Sequence, residues 1–341
     1  MMKKSVALLA LLACVMMATL AGSASAQAPA EQDAVKLKAT LVNVPVIVSD
    51  RDGRYLSGLR AEDFTLYSDH VKQPIAVFEA TEEPLSVALL LDTSLSTRDV
   101  LGDIKDAALS FIKRLRPQDR AMVISFDYDV HLLSQLTADR RTLEQSVKRA
   151  GIGDYPGTVL RDAVVKAVND SLRHVEGRKA IVLLTDGKDH GSVAGEVESL
   201  DATQESGAMI YSIFYRTGFA PRFNGRRGGF GRRGGVFGDP FPRRGPGNER
   251  RRERAERNNE QAADYLNELA EASAGRFYRS EVTDLKKTFD VIADELRHQY
   301  RLGFYAASEP AGAAAHRLTV QVTRPDAVVR ARRTYRAAQS Q

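Results

Sequence analysis

Residues 85–96 read LSVALLLDTSLS, and this stretch decides the fold class. Residues 87–91 form an unbroken apolar run, which is typical of a strand that is buried on both faces. From residue 100 to residue 115 apolar residues recur at helical spacing, so an amphipathic helix follows. A buried strand that leads through a short polar turn into a helix predicts an α/β fold.

The same alternation of strand and helix continues to residue 298. The pattern predicts further strands at 121–126, 130–133, 180–184, 209–215 and 276–278, and further helices at 139–149, 159–175, 193–206, 259–274 and 283–298. Because strands alternate with helices, we expect a doubly wound, mostly parallel sheet with helices on both faces, a Rossmann-like arrangement. This α/β domain covers residues 84–299.

Shorter strand-like segments flank the α/β domain on both sides. Residues 37–83 contain apolar alternation and an Asp52-Gly53 turn, and residues 300–336 contain three more strand-like pieces. We therefore expect these two segments to pair into one small β-sandwich, into which the α/β domain is inserted. Residues 337–341 form a tail. A chain of 341 residues has room for about two such domains.

The first 26 residues have the features of a secretory signal peptide. Lys3 and Lys4 precede an apolar stretch, and small residues end it at 24–26. We expect a flexible leader at 27–36 and an exported protein, periplasmic or secreted. A lipid anchor on Cys14 is the alternative, but the apolar stretch continues beyond that residue. Without Cys14 the mature chain has no thiol, and no later apolar run reaches the roughly 18 residues of a membrane span.

Residues 222–257 differ in composition from the rest of the chain. They hold 12 Arg and 9 Gly against four acidic residues, so the formal net charge of +5 comes from this stretch. Such composition is typical of disorder, and we predict a disordered Arg/Gly-rich insertion at 219–258. Its charge suits a polyanion such as an anionic surface polymer or lipid head groups, whereas nucleic acid is an unsuitable partner for an exported protein. The alternative is a solvated insertion without a partner.

Two of the predicted strands end in an acidic residue. Asp92 follows the strand at 87–91, and Asp186 follows the strand at 180–184. Ligands of open α/β sheets bind beyond the carboxyl ends of the strands, so both carboxylates belong to a candidate site. Ser94 and Ser96 add hydroxyl groups next to Asp92. An oxygen-only cluster of this kind suits a hard divalent cation such as Mg²⁺ or Mn²⁺.

The pattern Asp92-x-Ser94-x-Ser96, with Thr158 in PGTVL and Asp186 in LTDG, resembles the metal-ion-dependent adhesion site (MIDAS) of von Willebrand factor type A (VWA) domains. The resemblance covers the α/β domain apart from the insertion, and the flanking β segments resemble those of exported bacterial VWA-related proteins. Leu95 is a departure, because many family members have Gly between the two serines.

The resemblance implies a role for each of the five site residues. Ser94 and Ser96 would bind the metal directly, Thr158 directly or through water, and Asp92 and Asp186 largely through water. The metal would be Mg²⁺, or else Mn²⁺ or Ca²⁺. A Glu or Asp carboxylate of a partner protein would complete its coordination.

We therefore expect a binding protein that acts in metal-dependent protein–protein interaction or adhesion. His-Glu-x-x-His, Gly-x-Ser-x-Gly and Walker-type motifs are absent from the sequence, and no nucleophile with a neighbouring base is evident, so we expect no enzymatic activity. The alternative is an envelope scaffold that binds an anionic surface polymer through the Arg/Gly-rich insertion and has a purely structural metal site.

Overall fold

The structure, a computed structural model, describes residues 39–216, 246–307 and 315–336. The predicted signal peptide with Cys14, the leader at 27–36, the tail at 337–341 and most of the Arg/Gly-rich insertion lie outside the described residues. None of the described helices is both long and apolar enough to cross a membrane.

The elements alternate much as the sequence pattern predicts. In chain order the strands are β1 (Ala39–Ser49), β2 (Phe64–Ser68), β3 (Val71–Gln73), β4 (Val77–Glu79), β5 (Leu85–Asp92), β6 (Arg120–Phe126), β7 (Val130–Thr137), β8 (Arg178–Thr185), β9 (Met209–Phe214), β10 (Arg276–Arg279), β11 (Gln299–Ala307), β12 (His316–Val322), β13 (Val328–Ala331) and β14 (Thr334–Tyr335). The helices are α1 (Leu101–Arg114), α2 (Arg140–Arg149), α3 (Leu160–Lys166), α4 (Glu196–Ser206), α5 (Pro246–Ala272) and α6 (Leu285–Leu296).

The largest sheet has the strand order β10-β9-β8-β5-β6-β7. Its strands run parallel except for β7, which lies antiparallel to β6 at one edge. Strand β5 is buried along its whole length. Val87, Leu89 and Leu91 pack against the residues of α1, α2 and α6 on one face of the sheet. Ala88 and Leu90 pack with α3, α4 and α5 on the other. The predicted α/β class with a mostly parallel sheet is confirmed.

Two four-stranded sheets combine strands from both sides of the α/β domain. One has the order β13-β1-β11-β4 and the other the order β14-β12-β2-β3. Strand β1 lies antiparallel to β11 and β13, and β2 lies antiparallel to β12. Their inner faces share one core, in which Val44, Leu66, Tyr300 and Leu318 are buried. The sandwich predicted from segments distant in sequence is thus present.

Two element boundaries differ most from the sequence prediction. Helix α5 begins at Pro246 rather than at 259, so the last part of the predicted disordered insertion, residues 246–258, is helical. Proline is favoured in the first turn of a helix, and Glu and Arg three or four residues apart support helix without any apolar periodicity. Helix α3 ends at Lys166, where a π-helical turn, Ala167–Ser171, follows.

The last of the three strand-like pieces expected within residues 300–336, at 328–335, is two strands that belong to different sheets. Arg332, between β13 and β14, is buried, and its guanidinium donates to the carbonyl oxygen of Gln204 on α4. Because this side chain turns inward to reach α4, the strand ends before Arg332 and a second strand begins after it.

Candidate metal centre

The turn after β5 is organised around the carboxylate of Asp92. This residue is fully buried. Its Oδ1 accepts hydrogen bonds from the Ser94 backbone N–H at 3.0 Å and from the Ser94 hydroxyl at 2.6 Å. The Ser94 Oγ lies 3.1 Å from the Oγ of Ser96, which is exposed to solvent. The structure therefore brings the predicted residues Asp92, Ser94 and Ser96 together at the carboxyl end of β5.

A hydroxyl group that the sequence analysis missed links β5 to β8. Thr185 donates its hydroxyl proton to Asp92 Oδ2 at 2.7 Å and accepts from the Gly187 N–H at 2.9 Å. The only sequence signal was its position next to Asp186, at the end of a strand predicted to be parallel to β5. This hydrogen bond fixes the second oxygen of Asp92 and the start of the loop after β8.

Asp186 lies close enough to Asp92 for its negative charge to act on that residue. Asp186 directly follows β8 and is almost fully buried. Burial raises the pKa of Asp92 above its usual range, and the negative charge of Asp186 raises it further. The Lys188 ammonium forms an ion pair with Asp186 Oδ2 at 2.5 Å. Two buried carboxylates beside one lysine form a site that favours additional positive charge.

Thr158 lies in the loop before α3 and is placed by its backbone. The residue is buried, and its carbonyl oxygen accepts from the His190 N–H at 2.9 Å. The next N–H, that of Val159, donates to the Asp127 carbonyl oxygen at 2.8 Å. These two hydrogen bonds join the loop before α3 to the loop after β8 and to the turn after β6.

Neighbouring acidic residues have structural roles. The Asp127 carboxylate accepts from the Thr93 hydroxyl at 3.3 Å and contacts His131 Nε2 at 3.1 Å. Asp189 accepts from the Arg161 N–H at 3.0 Å and from the Ser192 hydroxyl at 2.7 Å. The hydrogen bonds of Asp127 and Asp189 thus stabilise the loops that follow β6 and β8.

The spacing of the two serine hydroxyls suits an octahedral cation. Ligands about 2.0–2.1 Å from Mg²⁺ and at right angles are about 2.9 Å apart, close to the 3.1 Å between the two Oγ atoms. In the described part of the chain, no group of three or more His, Cys, Asp or Glu side chains could hold a metal. A cation at this edge would therefore need hydroxyl as well as carboxylate oxygens, a donor set suited to Mg²⁺ and Mn²⁺. The residues present fit a hard divalent cation.

A family model and several solved structures match parts of the chain. The family model of the von Willebrand factor type A domain matches residues 87–188. No curated protein matches the chain. Among solved structures, the chain is similar to proximal thread matrix protein 1 from the mussel byssus with a zinc-occupied MIDAS motif, at 14% identity and a TM-score of 0.48, over 68% of this chain and 50% of that one.

Two bacterial structures are also similar. One is an aerotolerance-related membrane protein from Bacteroides fragilis, at 20% identity and a TM-score of 0.43, over 62% of this chain and 98% of that chain. The other is the vWF domain of the type V pili tip protein Mfa5 from Porphyromonas gingivalis, at 14% identity and a TM-score of 0.43, over 62% and 94% of the two chains. The chain spans about half the length of the mussel protein. At such identities and TM-scores these likenesses carry no further argument, and the match to the von Willebrand factor type A domain model covers residues 87–188, which lie within the observed α/β domain.

Proposed function

We propose that this chain is a binding protein that captures an acidic side chain of a partner protein through a divalent cation. The observation that carries the proposal is the pair of serine hydroxyls, 3.1 Å apart, beside the hydrogen-bonded Asp92 carboxylate. Ser94 and Ser96 would bind the cation directly, Thr158 directly or through water, and Asp92 and Asp186 through water. Mg²⁺ is the first candidate, with Mn²⁺ and Ca²⁺ as alternatives.

The charge of the site explains why the partner group would be a carboxylate. Serine and threonine hydroxyls are neutral ligands, so they leave much of the cation's positive field uncompensated. Ser96 is exposed, and the site therefore opens to solvent at the edge of the sheet. When bound, the cation would supply an electrostatic contact for a Glu or Asp of the partner. The protein would act outside the cytoplasm, because residues 1–26 have the features of a secretory signal peptide.

Removal of the Asp92 charge is expected to abolish most of the metal affinity. In the Asp92→Asn variant the buried turn keeps a hydrogen-bond acceptor for Ser94 but loses the negative charge that favours a cation. Substitution of such supporting groups costs about 10–100-fold in metal affinity, and we expect the upper end here. Isothermal titration calorimetry with MgCl₂ measures the change.

The matched control is Asp170→Asn, which removes an exposed aspartate just beyond α3. It should bind Mg²⁺ like the wild type. In EDTA, the melting temperature of Asp92→Asn should equal or exceed that of the wild type, because the raised pKa means that a charged Asp92 is unfavourable in the folded protein. Unchanged Mg²⁺ affinity in Asp92→Asn would refute the proposed site.

Lys188 is expected to compete with the cation. Its ammonium group neutralises Asp186 at 2.5 Å, and a divalent cation must share that carboxylate with it. The Lys188→Met variant keeps most of the length of the side chain but removes its charge. Mg²⁺ should therefore bind about tenfold more tightly, equivalent to about 1.4 kcal/mol. Calorimetry checks this against Lys166→Met, an exposed lysine on α3. Equal or weaker binding by Lys188→Met would contradict the expectation.

A further inference from the structure

Two exposed tyrosines form a pair near the candidate metal centre. Tyr128 is 44% exposed and Tyr155 is 61% exposed. Their rings meet edge to face, with centroids 5.1 Å apart and an interplanar angle of 81°. Tyrosine is among the residues enriched at the energetic centres of protein interfaces, and an exposed pair is a large apolar area to leave in water.

The backbone around the pair is held firmly. Tyr128 follows Asp127, whose backbone carbonyl and side chain bond to the neighbouring loops. Gly157 has a φ of +149°, and a Cβ at that position would lie 3.1 Å from the Cβ of Tyr128. This close approach keeps the loop that carries Tyr155 against the turn that carries Tyr128. A surface that is ordered before binding loses less entropy when a partner docks.

The tyrosine pair lies on loops that are hydrogen-bonded to the turn carrying the predicted metal ligands. Thr93, the residue before Ser94, donates to the Asp127 carboxylate and accepts from the Gly153 N–H at 2.9 Å. Both tyrosines therefore belong to the two loops that contact the turn after β5. Leu95, between the two serines, is half-buried.

A cleft near the loop after β8 has a different chemistry. This cleft of about 600 Å³ is lined by the charged residues Arg161, Lys188, Asp189 and Glu196, together with polar residues of α5. The loops around the metal centre thus offer both an aromatic surface and a charged cleft.

We infer that Tyr128 and Tyr155 form a specificity surface for a bulky apolar side chain next to the partner's acidic residue. The inference rests on the proposed function, because the acidic residue would be the one held by the cation. The fitting partner is a protein segment in which Asp or Glu lies within about two residues of a Leu, Ile, Met or aromatic residue, since residues two apart in an extended segment point to the same face about 7 Å apart. Truncation of such a tyrosine typically weakens binding by tenfold or more.

The test begins with a random peptide library displayed on phage and selected on the purified chain in MgCl₂, with a parallel selection in EDTA. Peptides recovered only with Mg²⁺ should contain an acidic residue with a bulky apolar neighbour. The strongest peptide is then synthesised and titrated against the wild type and the Tyr128→Ser/Tyr155→Ser variant. We expect binding to weaken at least tenfold while calorimetric Mg²⁺ affinity is unchanged.

The matched control is Tyr305→Ser, which removes a tyrosine that is 59% exposed on β11 of the sandwich. It should bind the peptide like the wild type. Acidic peptides without an apolar preference, or full affinity in the double variant, would overturn the tyrosine inference and leave the proposed function standing. If no peptide depends on Mg²⁺, or if the tyrosines hold a peptide equally well in EDTA, both the inference and the proposed function fail.

Discussion

The Gly275→Ala variant is expected to lose at least about 4 kcal/mol of unfolding free energy, a loss at the extreme of single substitutions. A Cβ at position 275 would lie 1.8 Å from the carbonyl oxygen of Ile210 and 2.6 Å from its carbonyl carbon. Both atoms belong to the backbone of β9, which is buried throughout, so no side chain can turn away to make room.

The surroundings of Gly275 explain why the backbone cannot shift cheaply. Its N–H closes the end of α5 by donating to the Ala270 carbonyl oxygen at 2.8 Å, and its carbonyl oxygen accepts from the Arg330 guanidinium at 2.6 Å. The next residue, Arg276, begins β10 and pairs with Tyr211 on β9. Movement at 275 would therefore disturb a helix end and a strand pair at once.

Urea unfolding followed by circular dichroism measures this loss. The matched control is Gly102→Ala on α1, where a Cβ would have no atom within 4 Å. Alanine is favoured over glycine in a helix, so the control should be neutral or gain up to about 1 kcal/mol. A free energy of unfolding within about 1 kcal/mol of the wild-type value would contradict the close approach of residue 275 to Ile210.

The second large effect is expected at Glu295 on α6. This side chain is fully buried. Its carboxylate accepts from the Tyr211 hydroxyl at 2.7 Å and the Tyr55 hydroxyl at 3.0 Å. It also forms ion pairs with Arg330 and, at 3.4 Å, with Arg276. Glu295→Ala would leave Arg330 without its counter-ion and both hydroxyls without an acceptor, at a cost of about 3–5 kcal/mol.

Two further variants separate the contributions in the same urea experiment. Glu295→Gln keeps an acceptor for the tyrosines but not the charge, so it should lose less than the alanine variant. Glu260→Ala removes an exposed carboxylate that lies 3.5 Å from Arg279, and such surface pairs are worth at most about 1 kcal/mol. A loss in Glu295→Ala no larger than that of Glu260→Ala would show that the buried network contributes little.

The sequence predicts those parts of the fold that depend on the pattern of apolar and polar residues within one element. The apolar run at 87–91 is compatible with a central strand of a covered sheet, and β5 is that strand. Asp92 and Asp186 were expected at the same edge of the sheet because each follows a strand, and parallel strands have their carboxyl ends at one edge. The start of α5 could not be predicted from apolar periodicity, because residues 246–258 contain almost no apolar side chains.

The missed residues act only through contacts between distant segments. Thr185 looks like an ordinary polar residue until β8 lies beside β5 and its hydroxyl reaches Asp92. Tyr128 and Tyr155 are separated by a strand and a helix in sequence, so their ring contact depends on the finished sheet. The partners of Glu295 come from both flanking β segments as well as from the α/β domain. Single-sequence patterns do not report pairings of this kind.

The position of β1 has a consequence for how the protein is made. Both of its neighbours, β11 and β13, are synthesised after the whole α/β domain. Until residues 299–331 are available, β1 is an apolar strand with two open edges, the state in which strands join other chains and aggregate. Sandwich assembly must therefore follow the synthesis of residues 299–331, and premature termination within the last strands would release a chain prone to self-association.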